Sequence, residues 1–169
     1  MDVRVLNPAD ASELWRLRQE ALESEPDAFS SSAEEHRKLS VDVFSRRLGS
    51  EQEDSFVVGA FSGLGLTGMA GFYREEGPKT RHKGRVWGVY VTLPARGQGL
   101  GRALMRALIE RARGMEGIEQ IGLSVTTTQA AAARLYRSMG FASYAREPRA
   151  LKVGGRYIDE EYMILYLKG

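Results

Sequence analysis

A mixed α/β fold with a substantial antiparallel component is what this sequence predicts, from three observations. Apolar positions alternate at strand spacing in some segments and recur at helical spacing in others, so both element types are present. Their order is one strand, two helices, three strands, a helix, a strand, a helix and a closing pair of strands, which is not the regular alternation of parallel units. With 169 residues, 43% of them hydrophobic and 27% charged, the chain suits a single globular domain over 1–169 with one substantial core.

Each element has its own signal. Val3 to Leu6 alternates like a short strand, after which Asn7, Pro8 and Asp10 supply an N-cap, a proline at the first helical position and a first-turn acid. Leu14, Leu17 and Ala21 then form a helical stripe up to about Glu23, with Arg16, Arg18 and Glu20 off it. Ser24 to His36, rich in serine, proline and acids, reads as a loop or broken turn. A second short helix is marked by Ser40 as cap, Val41, Phe44 and Leu48 as stripe and Gly49 as stop. Ser55 to Phe61 and Leu66 to Arg74 flank a glycine-rich turn and read as a hairpin. Arg85 to Val91 has the β-branched and aromatic content of a central strand. Leu100, Leu104 and Leu108, with Ala103 and Ala107, make one face of a helix that Gly114 stops. Gln120 to Val125 reads as a strand, Gln129 to Gly140 as a helix and Arg156 to Leu167 as a long closing strand.

Composition excludes several function classes. A net charge of +2 is too small for a chain built to coat nucleic acid. No apolar run approaches the roughly 20 residues of a membrane span, and the N-terminus lacks a secretory layout, so a cytoplasmic protein without membrane or nucleic-acid partners is expected. The absence of cysteine rules out disulfides, thiolate metal sites and a cysteine nucleophile. No metal cofactor is expected.

The segment PARGQGLGRAL places glycines at 97, 99 and 101 between the central strand and the next helix. Such a turn leaves backbone N–H groups unpaired where the helix dipole favours an anion, which suits a phosphate; a tight loop needing positive φ is the alternative. Spacing separates the phosphate motifs. The dinucleotide fingerprint would need glycine at Arg102 or Leu104, and a P-loop would need a lysine and a hydroxyl residue that do not follow. What remains is R-x-x-G-x-G, formed by Arg96, Gly99 and Gly101 with Gly97 and Gln98 between.

The stretch VYVTLPARGQGLGRALM resembles the acetyl-CoA-binding segment of the GNAT superfamily of N-acetyltransferases. A second stretch, LSVTTTQAAAARLYRSMGF, resembles that family's strand, polar turn and helix ending in L-Y-x-x-x-G-F. The element order fits the same family along essentially the whole chain. The resemblance implies a central, mostly antiparallel sheet of six to seven strands flanked by about four helices, and in solution a homodimer. It implies that acetyl-CoA is a co-substrate, with its pyrophosphate on the N–H groups of about Gly97 to Arg102, including Gln98, Gly99, Leu100 and Gly101. Its pantetheine arm then pairs with the backbone of Val89, Tyr90 and Val91. Arg96 and Arg102 are the candidate phosphate cations. Tyr136 matches the family tyrosine that protonates the leaving thiolate, and Gln129 stands where the family commonly has asparagine.

The activity implied is transfer of an acetyl group to a primary amine, of a small molecule in the first instance, by direct attack in a ternary complex. A protein lysine or N-terminal acceptor, and a non-catalytic acyl-CoA sensor, are the alternatives. Ser124 occupies the place of a catalytic glutamate in the subgroup that acetylates ribosomal-protein N-termini, which argues against that subgroup. For the general base, Glu34, Glu35, His82, Glu160, Glu161 and water remain open. Phe29, Phe44, Tyr73, Trp87, Tyr157 and Tyr162 are candidates for walls of an acceptor pocket or for core.

Overall fold

The chain opens on β1 (Asp2–Val5), and its first helical turn follows the expected chemistry. The Asn7 side chain accepts from the Ala9 N–H at 2.9 Å, and Asp10 accepts from the Asn7 N–H at 2.8 Å, a reciprocal cap over a 3-10 turn at Pro8–Asp10. Arg4 pairs with Asp10 at 2.8 Å, tying that turn to the strand. The computed structural model describes residues 1–49 and 53–167.

Helix α1 (Ala11–Ser24) buries Leu14, Leu17, Ala21 and Leu22. The stretch expected to be a loop or broken turn contains a short helix, α2 (Ala33–Arg37), which corrects that reading. Its signal was present as S-x-x-E: the Ser32 hydroxyl accepts from the Glu35 N–H at 3.1 Å, and the Glu35 carboxylate accepts from the Ser32 N–H. Helix α3 (Val41–Arg47) follows, starting as expected, although Ser40 makes no side-chain capping bond. Helices α4 (Leu100–Arg113) and α5 (Ala130–Ser138) bring the helices among the described residues to five, in keeping with the about four expected.

Strands β2 (Ser55–Ser62), β3 (Gly65–Arg74), β4 (Lys83–Val91), β5 (Gln120–Thr126), β6 (Ala142–Val153) and β7 (Arg156–Tyr166) join β1 in one seven-stranded sheet. The spatial order is β1-β2-β3-β4-β5-β7-β6, and every neighbouring pair is antiparallel except β4 with β5. Helices α4 and α5 cover one face of the sheet, where Leu104, Met105 and Leu108 of α4 meet Val58, Phe72 and Ile121. Helices α1 and α3 cover the other, where Leu14, Leu17 and Phe44 meet Val57, Met69 and Tyr90. Each fully buried leucine contributes roughly 1.5–3 kcal/mol relative to exposure, so the two stripes read from the sequence anchor both layers. No helix among the described residues is long and apolar enough to cross a membrane.

The central strand sets up the site. Met69 pairs with Tyr90, but Gly71 pairs with Trp87, so Ala70 faces both Gly88 and Val89 and β4 carries a bulge. Gly88 takes φ +63°, a conformation that side chains rarely adopt. The parallel contact with β5 is confined to Lys83–Arg85 against Gln120–Gly122. Beyond it the strands part. From Val86 onward β4 has no strand partner on that side, while β5 continues alongside β7 to Thr126.

Candidate active site

The glycine segment builds the first part of the site. Gly97 and Gly99 both hold φ +78°, and Gly99 is the left-handed N-cap of α4. The first bond into the helix runs from the Ala103 N–H to the Gly99 carbonyl, so the N–H groups of residues 97 to 102 find no acceptor among the described residues. Nothing lies within 4 Å of a Cβ built at Gly97 or Gly99, so the space in front of these N–H groups is open. A helix N-terminus of this form is an anion site.

A groove of about 400 Å3 runs across this turn between β4 and α5. Val89, Tyr90, Val91, Arg96, Gly97, Gly99, Leu100, Gly101, Arg102, Gln129 and Tyr136 all line it. Gln98 is exposed in the loop and is not among the lining residues. The guanidinium of Arg96 is engaged by the protein itself: its Nε donates to the Val91 carbonyl at 2.9 Å and its Nη2 pairs with Glu25 at 3.1 Å. Arg102 meets only a neutral group, donating to the Ser138 hydroxyl at 2.8 Å. Gln129, at the N-cap of α5, reaches across to Glu25 at 3.4 Å instead of capping its helix. Glu25 therefore joins the C-terminal end of α1 to both rims of the groove, a role that loop composition alone did not reveal.

The groove leads into the gap between β4 and β5, a cleft of about 160 Å3. Phe29, Val89, Gln129 and Tyr136 line both, and Ser124 and Glu160 line the cleft. Tyr136 is buried, packed edge-on to Phe141 with ring centres 6.1 Å apart, and burial pushes its phenol well above the ordinary range. It therefore stays a proton donor across the physiological range. Glu160 sits opposite Thr126 in the β5–β7 ladder, and burial raises its carboxyl above the usual value, helped by Glu147 and opposed by Arg85.

The remaining base candidates lie elsewhere. Glu161 points to the opposite face of β7, bonded to Arg137 at 2.6 Å and Ser143 at 2.9 Å. Glu34 is exposed on α2, and Glu35 is part of the α2 cap. His82 lies in the turn before β4, its carbonyl accepting from the Glu119 N–H, and lines none of these cavities.

Past the cleft, a pocket of about 590 Å3 opens under α1, α2 and α3. Phe44, Tyr73 and Trp87 line it, whereas Phe29 lines the groove and the cleft. Tyr157 is exposed in the β6–β7 hairpin, and Tyr162 donates to Glu147 at 2.6 Å, so neither joins this wall. Two residues of the pocket escaped the sequence reading. His36 is buried, its Nδ1 2.6 Å from the Gln19 carbonyl oxygen, while the Gln19 amide donates to Glu23. That chain of bonds puts the proton on Nδ1, and burial together with Arg18 and Arg47 lowers its pKa, keeping the ring neutral. Arg18 lies half-buried between the rings of Phe29 and Trp87, 4.8 Å and 5.6 Å from their centres. A signal for it existed: Arg18 interrupts the i, i+4 row Leu14, Arg18, Leu22, whose two leucines are each 2% exposed.

Among the described residues no group of three or more His, Cys, Asp or Glu is placed to hold a metal ion.

Known proteins share both sequence and shape with this chain. It matches the Acetyltransferase (GNAT) family over residues 14–141. It is 38% identical over 79 residues to the L-methionine sulfoximine/L-methionine sulfone acetyltransferase of Pseudomonas aeruginosa, covering 47% of this chain and 45% of that protein. The chain thus spans about half the length of that relative. The N-alpha-acetyltransferase RimI of Mycobacterium tuberculosis is 38% identical over 113 residues, 67% of each chain. Among solved structures, yncA of Salmonella typhimurium, determined with its cofactor acetyl-CoA, aligns with TM-score 0.84 and 26% identity over 100% of this chain and 95% of that one. An acetyltransferase of the GNAT family from Streptococcus pneumoniae aligns in fold with TM-score 0.88 and 24% identity, over 98% and 99% of the two chains.

Proposed function

The chain belongs to the GNAT acetyltransferase family and has its fold, and on that premise we propose that it moves an acetyl group from acetyl-CoA to the primary amine of a small molecule. Attack is direct, in a ternary complex. The observation that carries the reading is continuity: groove and cleft share Phe29, Val89 and Tyr136, and cleft and pocket share Arg18, Ser30 and Trp87. Three adjoining cavities suit a donor site, a transfer point and an acceptor site. The pocket volume of about 590 Å3 is that of a small-molecule site, which favours such an acceptor over a protein chain.

Acetyl-CoA supplies an activated acetyl thioester. The chain's residues hold and orient it. The free N–H groups of residues 97 to 102 receive the pyrophosphate, with the Arg102 guanidinium beside them. Arg96, fixed by Glu25 and Val91, shapes the groove wall. The unpaired edge of β4 at Val89 to Val91 offers backbone partners to the pantetheine amides. Tyr136 holds the proton that the departing thiolate takes up, and Glu160 is the carboxylate within the cleft that draws the ammonium proton away.

Acetyl-CoA is expected to raise the melting temperature where ATP and NAD do not, and free CoA is expected to be released with small amines. Absence of a shift with any acyl-CoA overturns the reading. Release with peptides only indicates a protein acceptor, and binding without release indicates a sensor.

Glu160→Gln should lower kcat roughly 100-fold, at the lower end of the contribution of a positioned acid or base. Because the Glu160 pKa is raised, the acid form persists above the usual carboxylate range and the rate climbs as pH rises through that shifted value. The variant should lose this limb of the pH profile. If the limb survives, water alone removes the proton.

A further inference from the structure

Resting on the acetyltransferase reading, we propose that the acceptor is an α-amino acid with an apolar or aromatic side chain, and that Arg18 receives its carboxylate. Ten other arginines each reach a carboxylate within 4.0 Å, most of them at the surface where such pairs matter least. Arg18 is not among them. It makes no hydrogen bond to any described residue, and its Nη1 is sealed against the Gly88 bulge without an acceptor. Burial alone lowers its pKa, to about 10, so it remains charged at neutral pH with no counter-charge among the described residues. The faces of Phe29 and Trp87 offset part of the cost of drawing this cation out of water, and a ligand anion is the partner that offsets the rest.

Position selects the kind of anion. Arg18 lines both the acceptor pocket and the cleft that holds Tyr136 and Glu160, so a carboxylate on its guanidinium lies beside the transfer point. An amine one carbon away from that carboxylate then enters the cleft. The substituent on the same carbon faces the pocket, where Phe44, Phe56, Phe72 and Tyr73 present an apolar wall. Arg47 adds a second cation to the pocket, and the Glu35 carboxylate there is occupied with the α2 cap. In the transfer itself a C–N bond forms as the C–S bond breaks. The ammonium gives up two protons, one to Glu160 and on to solvent, the other balanced by the proton that the thiolate takes.

The test compares L-phenylalanine, L-leucine and L-methionine with their carboxamides and their decarboxylated amines, following CoA release by wild type, Arg18→Lys and Arg18→Met. The wild type should favour each acid over its amide at least tenfold in kcat/KM. Arg18→Met should collapse that ratio, with KM for the acid rising roughly 10- to 100-fold, and Arg18→Lys should fall between. A readout free of turnover is thermal stabilisation of the wild type by 3-phenylpropanoate, expected to exceed that by 3-phenylpropanol. Equal use of acids and amides, use of amines alone, a preference that survives in Arg18→Met, or no response to any of these compounds by a protein that binds acetyl-CoA overturns the proposal. Failure to bind acetyl-CoA is a different result and overturns the acetyltransferase reading beneath it.

Discussion

Tyr136→Phe is expected to lower kcat by roughly 100-fold or more while leaving the Kd for acetyl-CoA within about threefold of wild type. The substitution removes one hydroxyl and keeps the ring that packs edge-on against Phe141, so α5 stays seated. No hydrogen bond from that hydroxyl to any described residue is lost, and the folded state should melt within a few degrees of wild type. Because burial holds the phenol protonated, the wild-type rate should not fall as pH rises through the range where a free tyrosine ionises. Steady-state kinetics beside calorimetric CoA binding separate the two effects. A kcat equal to wild type would show that the ring alone matters and that another group protonates the thiolate.

Gly99→Val should weaken acetyl-CoA binding by at least 100-fold and abolish the cofactor-induced rise in melting temperature. Two costs add. At φ +78° a β-branched residue is strained by on the order of 1–2 kcal/mol, and its side chain projects into the open space before the N–H groups of residues 97 to 102. No protein atom lies within 4 Å of the new Cβ, so the fold itself should persist with a modestly lower melting temperature. Calorimetric titration with acetyl-CoA reads the loss directly. Undiminished affinity would mean that the pyrophosphate sits elsewhere.

The proposed donor half of the site was legible in the sequence because its chemistry is local. A strand, three glycines and an apolar helix face are contiguous, and the structure assembles Val89 to Arg102 into one groove from neighbours along the chain. The proposed acceptor half was legible only as scattered aromatic candidates, because it is made at a distance. Arg18, Phe44, Tyr73 and Trp87 come from two helices and two strands, and only tertiary packing makes them share a pocket. The alternation along β7 separates Glu160 from Glu161 onto opposite faces. It does not say which face meets the gap beside β4, since the gap arises from a bulge at Gly88 on another strand. Helix α2 was missed for a different reason. Its capping pair Ser32 and Glu35 was outweighed by the serine- and proline-rich composition around it.

The free N–H groups at the start of α4 also bear on how such a protein can change. The proposed donor site, made of main chain, asks little of side chains beyond leaving room at a few glycines, so most substitutions elsewhere should leave it intact. The proposed acceptor pocket is walled by side chains, and each replacement there should alter what fits. Inheritance can therefore keep one acetyl donor while exploring many recipients, and in this chain the freedom is concentrated in the walls around Arg18.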